Sequence, residues 1–193
     1  MRRRLALAAA FPALAAFALF GPAAAQSKAD LAAVHDTSSV DQTGARLLQD
    51  TVVIHAPAAK VWSALTDQAA YRAWAAPNSY IDFHVGGLLE VAFEAGAKQG
   101  DPTNLKQQIT AYVPERLIAF RNLPSVGGPP GFAVYPQIAI VMEIVPISGG
   151  DTQVVLSHVG YRAGKDFDAL YSFFKVHNPE YLAQLKAYAE RKG

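Results

Sequence analysis

From Lys165 onward the sequence repeats with the period of a helix. Phe167, Leu170 and Phe174, then Tyr181, Leu185 and Tyr188, fall on one stripe. Asn178 sits between Phe174 and Leu185, where that stripe needs a member. The phase survives across Pro179, which reads as one long helix bent at the proline. Two helices with Asn178 capping the second are the alternative. A one-sided helix of this length needs an apolar surface to cover, and most of what precedes it is strand-like.

LLQDTVVIH (47–55) is β-branched toward its end and reads as a strand. Pro57 then opens a helix, PAAKVWSALTD (57–67), and AAYRAWAA (69–76) forms a second short one ending before Pro77. SYIDFHV (79–85) alternates, with Ile81, Phe83 and Val85 on one face, and Gly86-Gly87 signals a two-residue hairpin into LLEVAFE (88–94). KQQITAYV (106–113), RLIAFRN (116–122), QIAIVMEIV (137–145) and TQVVLSHVGY (152–161) complete the strands. Residues 123–136, with three glycines and four prolines, are a loop: either a lid or a solvated connection. The order predicts an α+β chain in which a curved antiparallel sheet of about seven strands wraps around the C-terminal helix. Curvature of that kind leaves a pocket between helix and sheet.

The N-terminal part has a different character. Residues 1–25 join Arg2, Arg3 and Arg4 to an apolar stretch, a Gly21-Pro22 break and Ala23-Ala24-Ala25. This is the pattern of an export signal cleaved before Gln26, with an uncleaved anchor as the alternative. Residues 26–45 are small and polar and read as a flexible leader, so residues 46–193 form the folded domain. The formal charge of +1 belongs to the signal: without its three arginines, fourteen basic residues face sixteen acidic ones, a net −2. Nucleic acid and anionic membranes are therefore not expected partners, and no stable anchor is expected after cleavage. At 51% apolar residues the chain is not a disordered one, and its lack of cysteine excludes disulfides, cysteine-ligated metal and a lipidated cysteine. The expected location is the periplasm of a bacterium, or outside the cell.

Four motifs in order resemble one family. They are PAAKVWSALTD (57–67) followed by Tyr71, Arg72 and Trp74; VGGLLEVAFE (85–94); YVPERLIAF (112–120); and DTQVVLSHVGY (151–161). The chain is similar to the SRPBCC (START-like, helix-grip) superfamily, and within it to the group named after the activator of heat-shock-protein ATPase. The resemblance implies the helix-grip fold over about residues 47–191. It does not imply a reaction, because that superfamily includes ligand carriers, cyclases and hydrolase-like enzymes. A second tryptophan beside Trp74 and an Asp-Pro after the first helix, both frequent in the family, are Ala75 and Asp67-Gln68 here.

No phosphate loop, nucleophile elbow or zinc-protease motif occurs. The histidines His35, His55, His84, His158 and His177 lack metal-ligand spacing, so neither a metal nor a cofactor is expected. His158 shares a strand face with Val154 and Leu156 and so points inward. It is either a satisfied core histidine or an acid–base group, and Asn178 is either a cap or a second polar group in the pocket. Trp74, Phe83, Phe93, Phe120, Tyr135 and Phe174, with His158 and Asn178, are the candidate ligand-binding residues; ordinary core packing is the alternative for each aromatic. Asp82, Glu90, Glu94 and Glu143 alternate with inward residues and are expected outside. The expected function is binding of a small apolar or amphipathic ligand in the internal cavity. A cyclase- or hydrolase-like enzyme using His158, or an envelope interaction module, are the alternatives.

Overall fold

The computed structural model describes residues 28–92 and 96–191. The segment read as an export signal and the candidate Phe93 lie outside these residues. The chain runs α1 (Lys28–Ala32), β1 (Val34–Asp36), β2 (Ser39–Val40), β3 (Arg46–Ile54), α2 (Ala58–Thr66), α3 (Gln68–Trp74), β4 (Asn78–Ile81) and β5 (Leu88–Ala92). It continues through β6 (Leu105–Val113), β7 (Leu117–Asn122), a 3-10 helix (Phe132–Gln137), β8 (Ala139–Pro146), β9 (Thr152–Tyr161) and α4 (Lys165–Ala189). The strands form one antiparallel sheet in the order β1-β3-β9-β8-β7-β6-β5-β4, with β2 also on β3. The sheet is curved and open, and α4 packs across it: the helix-grip arrangement.

Local sequence accounts for most of these elements. Pro57, at φ −67°, leads into α2, which buries Val61, Ala64 and Leu65 on one face. Asp67 caps α3 by accepting from the Ala70 amide at 2.8 Å. β3 alternates cleanly, with Leu48, Asp50, Val52 and Ile54 buried. β9 places Val154, Leu156 and His158 inward, and then Gly160 breaks the register with β3. Gly160 has φ +115°, and a Cβ there would meet the Gln137 carbonyl oxygen at 2.5 Å. This bulge reverses the alternation, so Tyr161 turns inward instead of outward.

Several expectations are corrected. Residues 26–45 are not a structureless leader where described: α1 packs against α4, and β1 and β2 pair with β3. Edge pairing satisfies backbone groups without needing apolar side chains, which is why a polar sequence concealed it. The strand expected to reach residue 85 ends at Ile81, and residues 82–87 form a longer turn. Its Gly86 amide donates to the Ile109 carbonyl at 2.8 Å, and Val85 is exposed. Glu90, expected outside, is buried under the 96–104 loop, accepting from the Asn104 amide at 2.5 Å and the Gly100 N–H at 2.6 Å. Alternation located its face of the sheet but not the loop that covers it. α4 is a single helix through Pro179.

Candidate functional site

A cavity of about 140 Å³ lies between the sheet, α3, α4 and the 3-10 helix. Leu89 and Val91 of β5, Ile140 and Met142 of β8, and Leu156 of β9 form an aliphatic floor. Ala75 and Ala76, just beyond α3, border the space with side chains too small to fill it. Aromatic rings close the opposite side. Phe132 stacks on Tyr135 at 4.6 Å between centroids, and Tyr135 stacks on Phe174 at 5.6 Å. Gly131 holds this segment against α4. It has φ +87°, and a Cβ there would meet the Asp166 carbonyl oxygen at 2.3 Å and the Leu170 amide nitrogen at 2.6 Å. The loop 123–136 therefore ends in a built wall of the cavity.

His158 and Asn178 are the polar groups that this wall leaves open. Only 2% of His158 and 4% of Asn178 is exposed, and both line the cavity. The His158 ring lies edge-on to Phe174 at 4.6 Å, and its Nδ1 has no hydrogen-bond partner. Burial pushes the imidazole down to about 3, so the ring is neutral near pH 7. The Asn178 Nδ2 faces the Asp50 carboxyl without completing a well-formed hydrogen bond. Behind it on β3 is Asp50, buried, with an unpartnered Oδ2. Burial and, secondarily, the charge of Asp36 push its carboxyl up to about 6, while the Asn178 amide and Lys175 pull the other way. Asp36 lies directly across the strand pair from Asp50 and binds Lys175 at 2.7 Å, which holds the Asp36 carboxyl down at about 2.

The remaining polar groups of the wall are partnered. The Tyr135 hydroxyl accepts from Gln107 Nε2 at 2.9 Å, and Gln107 also donates to Asn122 Oδ1 at 3.1 Å. Burial raises the Tyr135 phenol well above its usual range. It pushes Tyr71 up to about 12, an effect that the Tyr181 hydroxyl beside it partly offsets. His177, also on the wall, meets Glu180 at 2.8 Å. Among the described residues no three His, Asp or Glu side chains gather as metal ligands, and no helix is long and apolar enough to cross a membrane.

Of the residues singled out in the sequence, Phe120, Tyr135, His158, Phe174 and Asn178 line the cavity. Trp74 stands behind its wall. The indole N–H donates to the Ala64 carbonyl at 2.8 Å, and the ring packs on Tyr181 at 5.0 Å. Phe83 is elsewhere, against Trp62 at 5.4 Å and Tyr112 at 4.9 Å. It follows the end of β4, so the alternation that aimed it inward no longer applies. Asp50 and Gln107 were not singled out. Asp50 was findable, because it shares the period-two face of Leu48, Val52 and Ile54; nothing local marks Gln107.

The sequence matches the model of the family described as activator of Hsp90 ATPase homolog 1-like protein over residues 55–190. The chain belongs to this family, of SRPBCC type. Solved structures agree on the fold. The Aha1 dimer from Colwellia psychrerythraea is 16% identical, with a TM-score of 0.55 over 72% of this chain and 96% of that one. A protein from Mesorhizobium loti is 20% identical, with a TM-score of 0.58 over 74% of this chain and 98% of that one. A conserved protein of unknown function from Enterococcus faecalis is 16% identical, with a TM-score of 0.58 over 80% and 77%. No curated protein matches the chain.

Proposed function

We propose that this is an exported domain that binds a small hydrophobic or amphipathic molecule in the cavity between sheet and α4. One observation carries the reading. An aromatic and aliphatic space of about 140 Å³ ends in two buried polar side chains: His158, whose Nδ1 has no hydrogen-bond partner among the described residues, and Asn178, whose Nδ2 faces Asp50 without a well-formed hydrogen bond. Buried polar groups are ordinarily satisfied, so a pair left open on the wall of a cavity suits an occupant that completes them. The same pair favours binding over catalysis. A general base works best with a pKa near the working pH, and burial holds His158 at about 3. Among the described residues no polar side chain meets its Nδ1 to orient the ring as catalytic histidines are oriented. The export half of the proposal rests on the pattern of residues 1–25.

Native mass spectrometry of protein purified from its own host tests both halves. The expected species begins at Gln26 and carries a bound small molecule that denaturation releases. A full-length chain would overturn export; a chain that never retains a molecule, even from concentrated lysate, would overturn the binding role.

A further inference from the structure

The head-group chemistry of the occupant can be read from the charges around the polar end, an inference that rests on the binding role above. We propose that the cavity selects an uncharged molecule: a single-ring or compact aliphatic body carrying one neutral hydrogen-bonding head, a hydroxyl, carbonyl or carboxamide, read by His158 and Asn178.

The space, partly open to solvent, has room for a body of this size. About 140 Å³ is close to the roughly 150 Å³ of an apolar cavity known to admit benzene. The neutrality follows from what faces the head. An anion would need a cation, and the basic side chains near this end are engaged: Lys175 with Asp36 at 2.7 Å and Arg46 with Asp168 at 2.8 Å. His158 is uncharged, and His177 is turned to Glu180. Behind Asn178 stands Asp50, whose carboxylate would repel a second negative charge. A cation would need that carboxylate directly, but Asp50 does not reach the cavity wall. Either ion would give up its hydration without an opposite charge in contact, whereas a neutral head gives up far less and gains the open Nδ1 of His158. The open Nδ1 of a neutral imidazole is a donor or an acceptor according to the tautomer, so it can serve a carbonyl or a hydroxyl.

Phenol, toluene, benzoate and benzylammonium share one ring and differ in the head. Each is titrated at pH 7 into the full mature chain, with amide chemical shifts of residues on the cavity wall as the readout. Phenol is expected to bind at least about tenfold more tightly than the other three, the gain from one or two satisfied hydrogen bonds. Asn178→Leu and His158→Leu are each expected to bring phenol down to toluene while leaving toluene unchanged. Because the wild-type comparison alone is decisive, a variant that fails to fold does not suspend the test. Toluene, benzoate or benzylammonium matching phenol would overturn the head-group assignment and leave the cavity as a binding site. Binding of none of the four would overturn the binding role itself.

Discussion

The two halves of α4 on either side of Pro179 differ more than their shared apolar stripe suggests. Beyond the proline, Leu182, Ala183, Gln184, Leu185 and Lys186 are buried in succession, so the helix is enclosed on every side. Lys186 ties this half to the Val53 carbonyl at 3.0 Å and to Glu190, which in turn accepts from the His55 amide. Before the proline only Phe167, Leu170 and Asn178 are buried, and the turn just before it, Phe173, Phe174, His177 and Asn178, faces open volume that Tyr181 also borders. One half is core and the other is the wall of a site. Periodicity specifies which face turns inward, whereas the side chains opposite decide whether the space fills. Opposite the N-terminal half, Ala75 and Ala76 leave it unfilled.

The largest effect expected from this contrast lies in the enclosed half. Leu185 is fully buried, and Leu185→Ala should destabilise the fold by about 2–5 kcal/mol through lost transfer energy and a new void. Urea denaturation at pH 7 measures it. A loss below about 1 kcal/mol would mean that this half is no better packed than the other.

The second effect is electrostatic and belongs to the polar end of the open half. An unfolded histidine ionises near 6.5, but buried His158 does so only near 3. Between those values the unfolded chain binds a proton that the folded chain refuses, so stability falls on acidification. At about 1.4 kcal/mol per pH unit, the loss due to His158 is about 3 kcal/mol by pH 4. Asp50 acts with the opposite sign. Its carboxyl is raised from 3.8 to about 6, so between those values the folded chain holds the extra proton, and stability rises as pH falls. Discounting for residual solvent, Asp50 returns about 1–2 kcal/mol over that window. Wild type should therefore show a shallow acid slope concealing two opposed ones. Denaturation at pH 4 to 7 should become steeper for Asp50→Asn and reverse or flatten for His158→Leu. Parallel curves for all three proteins would mean that neither group is held as the structure shows.

Local patterns specify some of these features, and long-range contacts decide the others. α4, the succession of strands along the chain from β3 to β9 and the inward face of His158 follow from period and turn chemistry, which are local. Phe174 and Asn178 followed for the same reason, because they sit on the stripe. Phe83 was misplaced because its strand ends at Ile81, where Asp82 and His84 begin a turn that spacing alone does not announce. Glu90 was misplaced because a loop folds over the outer face of β5. The β1 edge was missed because main-chain pairing carries no side-chain signature. The environment of Asp50 is not local at all: it depends on β1 supplying Asp36 and α4 supplying Asn178 and Lys175.

The smallest expected change tests the open half directly. Phe174→Leu removes a ring that stacks on Tyr135 at 5.6 Å and meets His158 edge-on at 4.6 Å. In a filled core, losing such contacts would leave a costly void. Phe174 is half-buried and already borders empty volume, so the neighbouring rings lose an aromatic contact but no enclosing wall. The expected loss is about 1 kcal/mol by urea denaturation at pH 7. A loss of about 3 kcal/mol or more would mean that the ring supports the fold as Leu185 does. The N-terminal half of α4 would then be core that happens to adjoin a void, and the aromatic wall would owe its composition to stability rather than to an occupant.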